Sequence, residues 1–247
     1  SGVNDFHRAN MKMDEGSRPV FTSVDGEMTD EQIRVSAEEK ALFPAYVNSL
    51  GLKDENGTLL TLDADGNGSL KEYVKRVVME SAQRALDGDA DLSDKTWLNI
   101  ANGKVQSMDF TAYVKDITRM KTAPAFDALD LESPENDLFG NETTNCRHFT
   151  EYSTANTKVQ GACAEAEVVK MLNPMEYVMD EKAKKAHHFR IRHGECDRDT
   201  SLVISAMLVL KLREAGCEVD YHSPWNTPHA GDYDLDELFA WIDGICG

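Results

Sequence analysis

The stretch His188-Phe189-Arg190-Ile191-Arg192-His193, followed by Gly194-Glu195-Cys196-Asp197-Arg198-Asp199-Thr200 and then by Ser201 to Ala215, decides the fold class. Its first six residues alternate in polarity with the two-residue period of a strand, and the Gly- and acid-rich piece after them is a turn. Ser201 to Ala215 carries Leu202, Val203, Ile204, Met207, Leu208, Leu210 and Leu212 and stops at Gly216. It is apolar almost all round, which predicts a buried helix with a glycine past its carboxyl end. Glu218 to His222 reads as a second strand and Pro224-Trp225-Asn226-Thr227-Pro228-His229 as a polar loop. Leu235, Leu238, Phe239 and Ile242 mark one face of a closing amphipathic helix. Strand, helix, strand, helix in that order makes the two strands parallel neighbours and the class α/β.

Upstream of this unit, residues 28–174 read as mainly helical, with polar loops between helices. Thr29 and Gln32 form a capping-box pattern before Leu42, Phe43, Tyr46 and Val47, a run that ends at Leu50-Gly51. Ser69 and Glu72 repeat the signature before Tyr73, Val77, Val78 and Ala85. Further helices are expected over Phe110 to Met120 and Ala164 to Leu172, the latter closing before Asn173-Pro174. A helical block between sheet segments suggests an inserted lid, with residues 1–27 and 175–247 as core segments. The first of those core segments shows no convincing period.

Composition narrows the partners. Lys and Arg number 26 against 44 Asp and Glu, a net charge of −18, and so acidic a surface is repelled by nucleic-acid phosphates and anionic lipid headgroups. The 247 residues are 41% hydrophobic, enough for a sizeable core. Five cysteines without a C-x-x-C spacing suggest neither a disulfide framework nor a zinc site. No secretory leader or membrane-spanning run is visible, and localisation, cytoplasmic or secreted, stays open.

Ligands of open α/β sheets bind beyond the carboxyl ends of the strands. Both loops there are polar: Gly194 to Asp199 after the first strand, and Thr227-Pro228-His229-Ala230-Gly231-Asp232 after the second. An acid on one loop and a histidine on the next fits the chain order Ser, Asp, His of α/β-hydrolases. A neutral imidazole takes the serine proton and later returns one to the leaving alcohol, while a carboxylate on its other nitrogen fixes the tautomer. The same residues allow a plainer account, with Asp197 capping the next helix, Asp199 bound to Arg198 or backbone amides, and His229 an ordinary loop histidine.

The wording of the two loops, Arg192 through Ser201 and Pro224 through Asp234, resembles the end of bacterial tannases. So do Ala41-Leu42-Phe43-Pro44-Ala45-Tyr46-Val47-Asn48-Ser49-Leu50, Arg119-Met120-Lys121-Thr122 and Ser133-Pro134-Glu135-Asn136. The resemblance covers most of the chain. It implies an α/β-hydrolase with an inserted lid that cleaves galloyl esters through an acyl-serine, with Asp197 as catalytic acid and His229 as base. It also implies that Lys121, Glu135 and Asp199 contact the phenolic hydroxyls of the acyl group; a Lys-Glu lid salt bridge without substrate contact is the alternative. A feruloyl or other aryl-ester hydrolase shares this machinery and differs only in its pocket.

Departures from that pattern are informative. No G-x-S-x-G string occurs in the chain, although an α/β-hydrolase nucleophile sits in one. The resemblance places the serine, the early strands and the oxyanion donors before Ser1. The expectation is therefore a partial α/β-hydrolase fold, inactive alone, whose partners are an aryl ester and the missing amino-terminal half. Catalysis requires no cofactor. Asp63, Asp65, Asn67 and Ser69, with Gly68 at the sixth position from Asp63, form the first half of an EF-hand-like loop. Val74 stands where a bidentate glutamate belongs, with Glu72 nearby. Structural calcium and a plain Asp/Asn/Gly turn both fit, and a non-catalytic calcium-binding module is the remaining function class.

Overall fold

The computed structural model describes residues 9–13, 19–23, 29–117, 121, 123–229, 231 and 233–246. In chain order these form β1 (Ala9–Met13), β2 (Pro19–Ser23), α1 (Asp30–Ser49), α2 (Ser69–Asp87), β3 (Leu98–Ala101), β4 (Lys104–Met108), α3 (Phe110–Ile117) and α4 (Pro134–Asp137). There follow α5 (Glu151–Ala155), α6 (Ala166–Met171), α7 (Met175–Val178), β5 (His188–Arg192), α8 (Leu202–Glu214), β6 (Glu218–His222) and α9 (Leu235–Cys246). Among the described residues, no helix is long and apolar enough to cross a membrane.

β5 and β6 pair in parallel, from His188 opposite Glu218 to Arg192 opposite His222. Because side chains alternate along a strand, this register sorts them into two unlike faces. Phe189, Ile191, Val219 and Tyr221 share one, and α8 packs against β6. The other carries Arg190 and Arg192 opposite Asp220 and His222. Arg190 Nη2 lies 2.7 Å from Asp234 Oδ2 and Arg192 Nη2 lies 2.7 Å from Asp220 Oδ2, so the charged face is closed by an ion-pair network that reaches the loop before α9. α8 itself is apolar on nearly every side. It buries Leu202, Val203, Ala206, Met207, Val209, Leu210 and Leu212, and ends before Gly216 at φ +79°.

The core joins this unit to the helical block. Val47 of α1, Leu52, Leu60, Leu62, Leu70, Val74 and Val78 around α2, and Trp97 and Tyr113 pack with Leu202, Val203, Ala206, Met207 and Leu210. Each Val, Leu or Met among them contributes roughly 1.5–3 kcal/mol on burial. Polar pairing fixes the connections: Asn48 on α1 donates to Leu62 O at 2.8 Å and accepts from Leu62 N at 2.9 Å. α9 differs. It buries no residue, and Leu235, Phe239, Ile242 and Ile245 along it are exposed.

Several sequence expectations are corrected. Thr29 and Gln32 do form the capping box of α1, but Ser69 and Glu72 do not cap α2. The Ser69 hydroxyl accepts from Thr61 N at 2.9 Å, so Gly68 takes the cap position with no side-chain bond. The block is not helical throughout, because β3 and β4 form an antiparallel hairpin. Asn102 and Gly103 lie between them at φ +52° and +69°, as a two-residue type I′ hairpin turn requires. β1 and β2 form another hairpin where no period was legible. Of the helix expected over Phe110 to Met120 the structure describes Phe110–Ile117, residues 118–120 lying outside the described residues, and the one expected over Ala164 to Leu172 spans Ala166–Met171.

The segment between α3 and α6 has little regular structure and is organised by one buried carboxylate. Asp127 Oδ1 accepts from Asn136 Nδ2 at 2.8 Å and lies 2.7 Å from His148 Nδ1. Its Oδ2 accepts from Phe149 N at 2.9 Å, Thr150 N at 2.8 Å and Thr150 Oγ1 at 2.7 Å. Burial opposes ionisation, yet the donations from His148, Thr150, Phe149 and Asn136 outweigh it and hold this carboxyl below its usual value. Asp127→Ala leaves those donors buried without an acceptor and is expected to cost about 3–5 kcal/mol in urea unfolding. Because the folded pKa is depressed, the stabilisation is present at neutral pH and is lost as pH falls through that value. The variant's stability should therefore fall less on acidification than that of the native chain.

Candidate functional site

The two loops beyond the carboxyl ends of β5 and β6 are laced together by backbone. Glu195 N donates to Pro224 O at 2.9 Å and Cys196 N to Thr227 O at 3.2 Å. Gly194 lies so close beneath the second loop that a Cβ there would stand 2.1 Å from Thr227 O and 2.5 Å from Pro228 O. Only glycine tolerates that approach. The helical block holds both loops from behind. Tyr113 OH donates to Glu195 O at 2.9 Å, the buried Ser81 hydroxyl donates to Ser223 O, and the rings of Trp97 and Trp225 pack with centroids 5.9 Å apart.

On this frame Asp197 and His229 meet, with His229 Nδ1 3.0 Å from Asp197 Oδ2. Asp197 is buried and His229 about half exposed. Asp197 Oδ1 accepts from Asp199 N at 2.7 Å and Thr200 N at 2.9 Å, and His193 Nε2 lies 3.4 Å from Oδ2. Burial works against the charge on Asp197. The Thr200 amide, His229, His193 and the Asp199 amide together outweigh it and hold the carboxyl below the usual range. A carboxylate kept ionised is an acceptor only, so the Nδ1 of His229 carries the proton of this bond and Nε2 is the nitrogen left to act. Nε2 lies 3.4 Å from Asp199 Oδ2.

Lys121, Glu135 and Asp199 also converge. Lys121 Nζ lies 2.9 Å from Glu135 Oε1, 3.1 Å from Asp199 Oδ1 and 4.5 Å from the centre of the Phe126 ring. Glu135 sits at the start of α4, capped by Ser133, whose hydroxyl bonds its Oε2. Burial pushes the Glu135 carboxyl up, but Ser133 and Lys121 outweigh that and bring it below its usual value. Lys121, Glu135, Asp199, His229 and Asp197 therefore form one continuous chain of charged and polar contacts. Asp197 and His193 also border a cavity of ≈ 180 Å³, with Phe43, Leu62 and Leu70 among its other walls.

Residues 63–68 form a turn into α2, and the polar groups of that turn and of the first turn of the helix have partners within the chain. Asp63 Oδ1 accepts from Asp65 N at 3.0 Å and Asn67 N at 2.8 Å. Asn67 Oδ1 accepts from Lys71 at 3.0 Å, Ser69 accepts from Thr61, and Glu72 pairs with Lys75 at 2.9 Å. Sequence reasoning assigned no role to His193, Gly194 or Glu195. The signal available was a glycine immediately after the expected strand His188 to His193, where a turn and a close backbone approach are expected.

No family model matches the sequence, and no curated protein matches it. Solved structures do. A tannase from Lactobacillus plantarum matches with a TM-score of 0.92 and 41% identity, over 100% of this chain and 53% of that one. A tannin acyl hydrolase solved in complex with ethyl gallate matches at 0.89 and 41%, over 100% and 51%. The Fusobacterium nucleatum tannase matches at 0.87 and 40%, over 100% and 54%. The chain thus spans about half the length of the tannases it matches.

The buried Glu195 gives a direct check on the loop pairing. Burial pushes its carboxyl up to about 7, partly offset by the amide of Asn226, whose N lies 3.4 Å from Oε2, and by Lys95. A carboxyl raised in the folded state favours folding while protonated, so stability is expected to fall as pH rises from about 4.5 to about 7. Glu195→Gln keeps the shape without the ionisation, and chemical unfolding across that range should show a flatter profile than in the native chain.

Proposed function

We propose that this chain, whose solved structural neighbours over its full length are bacterial tannases, carries the acid, the base and the phenol-binding groups of a serine esterase acting on galloyl esters. The observation that carries this reading is the 3.0 Å bond between His229 and Asp197, on loops where Asp199 also pairs with Lys121. His229 Nε2 takes the proton of a serine hydroxyl as that oxygen attacks the ester carbonyl. It then returns the proton to the departing alcohol, leaving an acyl-serine that water cleaves by the same exchange. Asp197 holds the tautomer and stabilises the imidazolium. Since the chain contains no G-x-S-x-G string, we assign the serine to the part of a tannase-length protein that this chain does not span. Residues 1–27 and 175–247 would then be α/β-hydrolase core and residues 28–174 the lid. Any calcium at the 63–72 turn would be structural, and calorimetry with calcium chloride tests it.

Glu135 and Asp199 offer acceptors for neighbouring phenol hydroxyls, and Lys121 offers a donor to a phenolic oxygen. A site that pairs hydroxyls rejects acyl groups lacking them, because its own polar atoms are left unpaired. In the tannase-length enzyme, Asp197→Asn is expected to lower kcat on ethyl gallate by roughly 10⁴-fold. Glu135→Gln should raise KM for ethyl gallate and leave ethyl benzoate unaffected; equal losses on both esters would remove the case for a phenol pocket. Preference for methoxylated cinnamate esters would favour the feruloyl esterase. The chain alone should hydrolyse ethyl gallate no faster than buffer, and turnover by it would overturn the placement of the serine elsewhere.

A further inference from the structure

The parallel register that carries the acid and base loops at one end of β5 and β6 also brings together residues at the other end. His188 stands opposite Glu218, and Glu218 N donates to His187 O at 2.8 Å. His187 Nε2 lies 3.4 Å from Glu218 Oε1, and His188 Nδ1 lies 3.1 Å from Glu218 Oε2. One ligand atom from each of the three residues falls within 4.8 Å of the others. The two imidazoles stand edge to face, their centres 4.8 Å apart. The cluster lies at the mouth of a cleft between β6 and α9, bordered by His188, Glu218, Asp220 and Trp241.

We propose that His187, His188 and Glu218 form a binding site for a divalent metal of the zinc class. Two imidazole nitrogens and one carboxylate oxygen are a donor set suited to borderline-soft ions and poorly suited to calcium or magnesium, which take all-oxygen shells. Tetrahedral zinc needs ligand atoms roughly 3.3 Å apart. The His187 and His188 nitrogens already stand close to that distance from Glu218, so rotation of the exposed His187 and Glu218 side chains about the part-buried His188 would close the set. Water would complete the fourth position. The carboxylate that now contacts both rings becomes a shared ligand, and the net charge of −18 draws cations to the surface. The site lies at the opposite strand ends from Asp197 and His229, and because its ligands come from β5, the residue before it and β6, a bound ion would clip those two strands together.

The test uses the full chain with any affinity tag removed. Cobalt chloride should give the visible absorption of a low-coordinate N/O site, saturating at one ion per chain, and zinc chloride should compete it away and raise the unfolding temperature. His187→Ala, at an exposed position, and His188→Ala, at a part-buried one, are checked for intact folding by circular dichroism, and each should weaken zinc binding by more than the roughly tenfold to hundredfold loss typical of an outer-shell partner; Glu218→Gln should weaken it too. Unchanged zinc affinity and stoichiometry in the His187→Ala/His188→Ala double variant would overturn the proposal. A cobalt spectrum with thiolate charge-transfer bands, lost in Cys217→Ser but kept in the histidine variants, would overturn it equally.

Discussion

The structure hangs on the passage of Gly194 beneath the carbonyls of Thr227 and Pro228. At that point two loops from different strands run too close for any side chain to intervene. Two backbone bonds, Glu195 to Pro224 and Cys196 to Thr227, then lock the register between them. Three residues beyond Gly194 comes Asp197, and one beyond Pro228 comes His229. Their 3.0 Å separation follows from main-chain geometry rather than from flexible side chains finding each other. Catalytic constellations need this kind of support, because small displacements of a reacting group are costly in rate.

The helical block acts on the same loops from the other side. Tyr113 and Ser81 supply hydrogen bonds to their carbonyls, and Trp97 supplies a ring for Trp225. The block also contributes Glu135, on the short helix α4, and Lys121, which links Glu135 to Asp199. The segment that carries them is held in place by the buried Asp127–His148 pair and the amides around it, beside apolar packing that includes the stacked Phe139 and Phe149 rings. Directional bonds of this kind fix how the loop segments sit against one another, which non-directional apolar contact does less sharply.

Much of this was legible in the sequence, unevenly. The β5, α8, β6 unit announced itself because a two-residue period, an all-apolar run and a glycine stop agree with one another. Asp197 and His229 could be paired because strand ends have a fixed relation to their loops. Lys121 and Glu135 came only through family resemblance. Their convergence depends on Asp127, whose partners lie 9 to 23 residues further along and follow no period. Ser69 misled because its hydroxyl serves Thr61 rather than its own helix. The Asn102-Gly103 turn was the opposite case, a clear local signal that the weight given to helices in that block obscured.

The uncovered stripe of Leu235, Phe239, Ile242 and Ile245 on α9 bears on how molecules of this chain treat one another. A greasy helix in water invites self-association, but here every molecule brings a charge of −18. Mutual repulsion of that size is a colloidal barrier, and salt shortens its range from tens of ångströms to a few. Dilute buffer therefore keeps neighbours apart by charge, while brine would let them meet through that stripe.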